Sequence, residues 1–298
     1  FRRVLFRSQH FLSFVNYPSL TKRKKMNNKT LRQAIQDWFD CPVEAERKWN
    51  GPIQEWDTSR VTDMSGLFLD CPYFNEDIRQ WDTSNVTDMG YMFWNACDFN
   101  QPLNRWDTSQ VTDMRSMFNG ARSFNQPLDC WDTSHVIFMN SMFCDANSFN
   151  QPLNSWDVSS VTDMGWMFCG AHSFNQPLNS WDVSSVTDME RMFRGAHDFN
   201  QPFPDFNRQN IYHGTDMEFM FSDAHAFNQP IQGWVSKFKP YIVPTTFQHT
   251  LSFFVFLEFL GAFTYTYTKE EKMMTSWLDQ LGNGMVVVYT IFQFAYNV

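Results

Sequence analysis

A stretch of nine residues, from Trp106 to Met114, recurs with little change every 25 residues along the chain. Each copy begins with Trp-Asp, has Val five residues after the Trp, and ends with Met. A fixed period of this length is typical of a solenoid, in which each repeat is one coil that buries its apolar face against the next. The Trp residues that define the period are Trp56, Trp81, Trp106, Trp131, Trp156 and Trp181.

Two apolar spacings alternate within each coil. In the third coil, Leu103, Trp106 and Thr108 are spaced i, i+3, i+5, as in the strand of a leucine-rich repeat. Trp106 and Thr108 should share the inward face of that strand, and the Asp between them should point outwards. Residues 111–121 then place apolar side chains along one stripe of a short helix, which Gly120 is predicted to end. The predicted fold class is therefore an α/β solenoid of about seven coils, each with a short parallel strand and a short helix.

The segment before the first coil is predicted to cover its apolar end. Thr30–Asp40 should form a helix with Thr30 as its N-cap, because Leu31, Ile35 and Trp38 fall on one face. The predicted divisions are a disordered or non-native leader (residues 1–29), an N-terminal helical cap (30–55), the repeat solenoid (56–234) and an atypical C-terminal tail (235–298), which is either non-native or a cap.

Neither end of the chain contains a clear membrane or export signal. Residues 1–29 lack the length and order of a signal peptide, so the sequence leaves localisation unknown. The apolar stretch 247–265 has a continuous core of about 13 residues, short of the ~20 that a membrane-spanning helix needs. A membrane partner is not expected, although this stretch leaves it open.

The charge distribution excludes one class of partner. Residues 49–234 hold 8 Arg, no Lys and 24 acidic residues, whereas residues 1–48 hold 11 Lys or Arg and 4 acidic residues. An acidic body without Lys repels a phosphate backbone, so nucleic acid is not expected to bind. Cationic partners and divalent cations are allowed but not required.

The six cysteines contain no Cys-x-x-Cys pair, which argues against a zinc site. Cys144 and Cys169 alone share a repeat position, thirteen residues after Trp131 and Trp156. They could face each other across adjacent coils, and they could equally be small buried or half-buried thiols. The redox compartment stays open.

No arrangement of residues typical of catalysis is present. The sequence has no Gly-rich phosphate loop and neither of the His-Glu-x-x-His and Gly-x-Ser-x-Gly motifs, so no enzyme and no cofactor are predicted. His172 and His197 share a repeat position and are expected to stack. The Asn of each Phe-Asn pair is predicted to satisfy backbone groups of its own and the next coil.

The Asp that follows each Trp is the most regular polar feature. Coils in register lie about 4.8 Å apart, so neighbouring carboxylates repel each other unless something compensates. One interpretation is a hydrogen-bonded turn in which the Ser two residues later donates to the Asp. The other is a row of bound Ca²⁺ ions, for which the sequence lacks the denser oxygen clusters of Ca²⁺ loops.

The pattern resembles the repeats of BspA-type leucine-rich-repeat surface proteins. Their unit is approximately W-D-[VT]-S-x-V-T-x-M-x-x-M-F-x-x-A-x-x-F-N-Q-x-L, and this chain matches it over about residues 30–234. The resemblance implies a leucine-rich-repeat-like fold and, for some members, an extracellular or cell-surface adhesive role. It implies no catalytic residues.

Residues that differ from coil to coil are the better candidates for function, because packing alone explains a constant core. If the predicted strand lines a concave face, it carries the residues four positions after each Trp and those one or two positions before it, which vary between coils. These residues would then form one polar surface with the Asp column, the Asp residues that follow each Trp. Tyr91 and Trp166 are predicted as outward aromatics that could anchor a partner. The candidate binding residues are Asp57, Asp82, Asp107, Asp132, Asp157, Asp182, Arg60, Arg79, Asn85, Arg105, Gln110 and His135.

The sequence therefore favours a non-enzymatic repeat module that binds a protein or glycan ligand, in cell-surface recognition or adhesion. The alternative is a purely structural spacer or wall component. No cofactor is expected in either case.

Overall fold

The computed structural model describes residues 24–202 and 215–229. The chain divides into two compact units, residues 1–244 and 245–298, and all the described residues belong to the first. The predictions for most of the leader and for the tail at 235–298 concern residues outside the described ones. Within the described ranges, no helix is long and apolar enough to cross a membrane.

The N-terminal cap contains two α-helices. Helix α1 is Asn28–Asp40, helix α2 is Pro42–Trp49, and the short 3-10 helix Ile53–Glu55 leads into the first coil. Helix α1 begins before the predicted residue because Asn27 and Thr30 form a reciprocal capping box. The side chain of Asn27 accepts from the N–H of Thr30 at 3.0 Å, and the hydroxyl of Thr30 accepts from the N–H of Asn27 at 2.8 Å. Thr30 is thus the third helical residue and not the N-cap.

The cap also starts earlier than the predicted boundary between residues 29 and 30. Met26 is only 1% exposed, and its N–H donates to the carbonyl oxygen of Asp57 at 2.9 Å. The side-chain oxygen of Asn28 accepts from the N–H of Thr62 at 2.9 Å. In the next coil, the carbonyl oxygen of Thr62 accepts the N–H of Thr87 at the same distance, so Asn28 takes the place that a preceding coil would fill. Residues 24–29 therefore belong to the cap and not to a leader.

Parallel pairing between successive coils occurs seven residues after each Trp, and not at the Trp-Asp-Thr segment where the strand was predicted. Around Trp106, the backbone N–H groups of Trp106 and Val111 close turns three residues back, at 3.1 and 2.9 Å, and so cannot join a ladder. The described residues contain isolated parallel bridges and no longer strand. The bridge residues are Asp63, Asp88, Asp113, Phe138, Asp163, Asp188 and Asp216, with Lys25 pairing to Asp57 at the cap.

The predicted short helix of each coil is replaced by a run of turns. The N–H groups of Ser116, Phe118 and Gly120 donate to carbonyl oxygens 24 residues further on, in the next coil, at 2.8–2.9 Å. The N–H groups between them donate three residues back, both at 3.2 Å, so none remains for helical bonds. Ser116 and Gly120 have φ of 52° and 71°, which the third residue of a type II turn requires. The helix prediction was wrong because the apolar spacing fits both a helix and this series of turns.

Stacked aromatic rings fill the interior of the coils. The Phe twelve residues after each Trp, such as Phe118, stacks on its equivalents at centroid distances of 5.5–5.7 Å. It also stacks on the Phe six residues later, at 3.7–4.1 Å. From Trp81 to Trp181, each indole N–H donates to the carbonyl oxygen 28 residues back at 2.8–3.2 Å. Trp106 and Thr108 are both buried, which confirms their predicted inward face.

The Asn residues of the Phe-Asn pairs form a ladder between coils, as predicted. The side-chain oxygen of Asn125 accepts from the N–H of Asn150 at 3.0 Å and from the amide of Gln151 at 2.9 Å. Equivalent bonds to the next Asn N–H recur along the coils at 2.9–3.0 Å. Each Asn therefore supplies the acceptor that the next coil's backbone needs.

Asn125→Ala is expected to lower the free energy of unfolding by about 1–3 kcal/mol, because two donors lose their acceptor. Urea unfolding followed by Trp fluorescence measures the loss. Asn125→Asp is the matched control, since it keeps an oxygen at the same place and should recover most of the stability. An equal loss in both variants would show that the bond to the oxygen does not matter.

Candidate functional site

The Asp–Ser face is the surface formed by the Asp after each Trp, the Ser two residues later, the variable residue after that Ser, and the polar residues one or two before each Trp. Each Asp Oδ1 accepts the N–H of its Ser at 3.0–3.2 Å. In four coils the Ser hydroxyl also donates, at 2.6–2.7 Å. The predicted hydrogen-bonded turn is thus confirmed for Asp57, Asp82, Asp107, Asp132, Asp157 and Asp182.

These bonds occupy one oxygen of each carboxylate and lower the pKa of two of them. The hydroxyl and N–H of Ser134 hold the pKa of Asp132 below its ordinary value, and Ser159 does the same for the pKa of Asp157. Among the described residues, no group of three or more His, Cys, Asp or Glu is arranged to hold a metal ion. The Asp column therefore has a structural role in every coil, and any ligand would meet its outer oxygens.

The variable residues four after each Trp are exposed, as predicted for Arg60, Asn85, Gln110 and His135. Some of them also contact neighbouring residues. The side-chain amide of Asn85 donates to the carbonyl oxygen of Ser59 in the preceding coil at 3.0 Å. The face is therefore a surface of hydrogen-bonding groups whose chemistry changes from coil to coil.

Adjacent coils are held together directly beneath this surface. The buried hydroxyls of Thr58, Thr83, Thr108 and Thr133 each donate to the carbonyl oxygen of the next coil's Asp at 2.8–2.9 Å. These bonds bring the Asp residues into one column.

The two arginines that precede Trp residues differ in their surroundings. Arg79 forms an ion pair with Asp77 at 2.8 Å, so its charge is compensated within its own coil. Arg105 is exposed and lies just before Trp106. Of the two, Arg105 is the better placed to meet the negative charge of a ligand.

A second acidic column, which the sequence analysis did not single out, runs along the parallel bridges. Each of its Asp residues accepts the N–H of the residue two positions later at 2.8–3.0 Å. The signal was present, since the Asp seven residues after Trp recurs in every Trp-containing coil but the fourth, almost as regularly as the first Asp. We expected it to begin a helix, and so did not expect it to pair across coils. The column comprises Asp63, Asp88, Asp113, Asp163, Asp188 and Asp216, and Phe138 interrupts it.

Two carboxyls of the second column, Asp88 and Asp163, differ from Asp132 and Asp157 in the direction of their pKa shifts. Burial raises the pKa of Asp88, and the neighbouring carboxylates of Asp113 and Asp63 raise it further. Burial and the carboxylate of Asp188 raise the pKa of Asp163. Ionisation of these carboxyls therefore opposes folding, and the native state gains stability as pH falls through the raised pKa values.

Asp163→Asn is expected to stabilise the protein at pH 7 by less than about 1 kcal/mol, because it removes a charge that the fold disfavours and keeps the acceptor. The gain should shrink as pH falls towards the ordinary carboxyl pKa of 3.8. Thermal unfolding at pH 7 and pH 4 measures it.

Asp157→Asn is the matched control in the same coil. Its pKa is lowered, so the same substitution should destabilise the protein at pH 7. A change in stability in the same direction for both variants at pH 7 would contradict the opposite pKa shifts of Asp163 and Asp157.

The turn face is the surface formed by the residues nine, ten and thirteen positions after each Trp, and it carries paired arginines and aromatic rings. The guanidinium of Arg115, on this face, lies 4.6 Å from the ring centre of Phe138, which belongs to the neighbouring column of parallel bridges. That of Arg191 lies 4.7 Å from the ring centre of Trp166 and 5.2 Å from that of Phe219. Tyr91 is exposed as predicted, whereas Trp166 is half-buried. This face can contribute stacking and cation–π contacts but has no repeated pattern.

The histidines of the later coils stack, as predicted. The rings of His172 and His197 lie 4.3 Å apart and are nearly parallel, and His225 meets His197 edge-on at 5.1 Å. All three are exposed. Together with the two faces above, the described residues can bind through hydrogen bonds, charge and stacking.

Comparison with known proteins identifies one family. No curated protein and no solved structure matches the chain. The family model described as "Mycoplasma protein of unknown function, DUF285" matches residues 33–156 and again residues 126–234. The two matches overlap within the repeats, as expected for tandem units. Because they cover most of the chain, the chain belongs to this DUF285 repeat family.

Proposed function

We propose that the repeats form a leucine-rich-repeat-like solenoid of the BspA type that binds a protein or glycan ligand without catalysis. The proposed site is the Asp–Ser face, and the proposed setting is cell-surface recognition or adhesion. No cofactor takes part. Membership of a tandem-repeat family is compatible with this role.

The observation that carries the proposal is the contrast between neighbouring positions on this face. The Val five residues after each Trp is fully buried in every described coil. The residue directly before that Val is exposed and changes from Arg60 to Asn85, Gln110 and His135. Packing accounts for the constant position and places no demand on the variable one. An exposed column that varies beside a buried column that does not is what a recognition surface requires.

The chemistry of the face suits a polar ligand. Each coil presents a carboxylate held in a fixed orientation by its Ser, for example Asp107 with Ser109. The exposed guanidinium groups of Arg60 and Arg105 stand among these carboxylates. Donors and acceptors of both charges, on a rigid backbone, match the hydroxyl groups of a glycan or the polar surface of a protein.

A binding screen with the purified full chain tests the proposal. A glycan array and a pull-down from surface extracts should give saturable binding. Arg105→Glu should weaken it by about tenfold or more, the loss of one central contact. Arg122→Glu is the matched control, because Arg122 is exposed but lies outside the Asp–Ser face.

Two outcomes would overturn the proposal. Equal weakening by Arg105→Glu and Arg122→Glu would show nonspecific charge attraction. A folded protein with no saturable ligand in either screen would favour the alternative, a structural spacer or wall component.

A further inference from the structure

Two cysteines occupy the same position in adjacent coils. Cys144 and Cys169 each stand thirteen residues after a Trp, on the turn face, and both are free thiols and half-buried. Hydrogen bonds between the two coils, formed by the residues directly before and after Cys144, fix the position of Cys144 relative to Cys169. The N–H of Phe143 donates to Met167 at 2.9 Å, and the N–H of Asp145 donates to the carbonyl oxygen of Cys169 itself at 2.7 Å. The thiols therefore cannot slip past each other while the coils stay paired.

The spacing between paired coils brings the two side chains close to disulfide geometry. Chains paired in this way lie about 4.8 Å apart, within the 4.4–6.8 Å range of Cα separations in disulfides. Equivalent positions have parallel Cα–Cβ directions, so the Cβ atoms lie about as far apart as the Cα atoms. Disulfides prefer Cβ separations of about 3.8 Å, so closure requires an approach of about 1 Å. The two thiols are close enough for each to affect the ionisation of the other.

We propose that Cys144 and Cys169 are a redox modification site, at which a small-molecule disulfide oxidises the pair to a reversible cross-link between the fourth and fifth coils. The site is independent of the Asp–Ser face. Because closure strains the turn, the cross-link is more easily reduced than an unstrained structural disulfide.

The reaction proceeds by two thiol–disulfide exchanges. The thiolate of Cys169 attacks one sulfur of the small-molecule disulfide, which forms a mixed disulfide and releases one thiolate. Cys144 then loses its proton and attacks the sulfur of Cys169, which breaks the mixed disulfide and releases the second thiolate. The pair loses two hydrogens and two electrons, and the small-molecule disulfide is reduced to two thiols.

The surroundings favour Cys169 as the first nucleophile. The neighbouring thiol of Cys144 lowers the pKa of Cys169 against the opposing effects of burial and Asp145, and the guanidinium groups of Arg194 and Arg191 lower it slightly further. The neighbouring thiol of Cys169 and burial both raise the pKa of Cys144. Thiolates, not thiols, attack disulfides, so the reaction begins at Cys169.

The other cysteines do not offer a second pair. Cys71 and Cys97 belong to adjacent coils but stand fifteen and sixteen residues after their Trp residues. Burial raises the pKa of Cys71 to about 11, which suppresses its thiolate. Cys41 and Cys130 are exposed and lie in the cap and the fourth coil, and so serve as internal references for surface reactivity. Cys130 should be the slower of the two, because burial and Asp129 raise its pKa.

The test is oxidation of the reduced full chain with oxidised glutathione, followed by peptide mass spectrometry. We expect a peptide pair joined through Cys144 and Cys169, a loss of two hydrogens, and full reversal by dithiothreitol. In Cys144→Ser the second exchange cannot occur, so Cys169 should remain as the glutathione adduct. In Cys169→Ser the adduct at Cys144 should form several-fold more slowly.

Three results would overturn the proposal. One is a glutathione adduct on both cysteines without an internal cross-link in the unaltered chain. Another is no reaction at either cysteine while Cys41 and Cys130 are modified. The third is cross-linking only under denaturing conditions, which would show that the folded coils hold the thiols apart.

Discussion

Phe118→Ala is expected to lower the free energy of unfolding by about 3–5 kcal/mol, the range for removing a buried aromatic ring. Its ring stacks on Phe93 at 5.5 Å, on Phe124 at 4.0 Å and on Phe143 at 5.7 Å. Truncation therefore leaves a cavity at the junction of three coils, and the stacked rings on either side cannot collapse into it without losing their own register. Urea unfolding monitored by circular dichroism and Trp fluorescence gives the loss.

The control for this substitution is Tyr73→Ala. Tyr73 is 82% exposed, so its removal should change the free energy of unfolding by no more than about 0.5 kcal/mol. In an array whose coils contact only their neighbours, the damage should also spread locally, and hydrogen exchange should increase most in the second, third and fourth coils. A loss below about 1 kcal/mol for Phe118→Ala would mean that the aromatic stack does not stabilise the fold.

Gly120→Ala is expected to cost about 2–3 kcal/mol, for two separable reasons. Gly120 has a φ of 71°, and an L-residue in this region costs about 1–2 kcal/mol. A Cβ at Gly120 would also collide with the side-chain oxygen of Asn95 in the preceding coil. Asn95 could move away only by giving up its 2.8 Å hydrogen bond to Asp70, which adds about 1 kcal/mol.

Gly195→Ala separates the two contributions. Gly195 has a similar φ of 68°, but the nearest atom to its Cβ would be 3.8 Å away, an ordinary contact. This variant should therefore lose only the conformational part, about 1–2 kcal/mol. Thermal and urea unfolding of the two variants side by side measures the difference. Equal losses would mean that the contact with Asn95 contributes nothing.

The period and the residues that face the core could be predicted from the sequence, because packing imposes the same demand on every coil. Trp106 and Thr108 are buried, and the Asp residues bind their Ser partners, because each of these roles depends on local spacing. The path of the backbone between Val111 and Ala121 could not be predicted in the same way. Its apolar residues fit a helix, and only the neighbouring coil, which accepts alternate N–H groups, selects the turns.

Dependence on the neighbouring coil also explains which residues of the candidate site were missed. The regular Asp of the parallel bridges, such as Asp88, falls within the segment that was predicted as a helix, and its proximity to Asp113 depends on pairing between coils. The exposed positions of Arg60 and Gln110 followed directly from the period. The start of the cap at Asn27 and Asn28 was missed because their partners include a residue of the first coil more than 30 positions away.

The amide of Asn28 has a consequence for how arrays of this kind change length. The cap binds the first coil through Thr62 with a side chain that substitutes for one backbone carbonyl. Every later coil offers an equivalent N–H at this position, such as that of Thr87. Gain or loss of a complete 25-residue unit therefore leaves the junction with the cap intact. The pairing between coils also accepts a longer unit, since Asp216 pairs with Asp188 across 28 residues. Whole repeats can therefore be duplicated or deleted, because the cap can form the same hydrogen bond with whichever coil comes first.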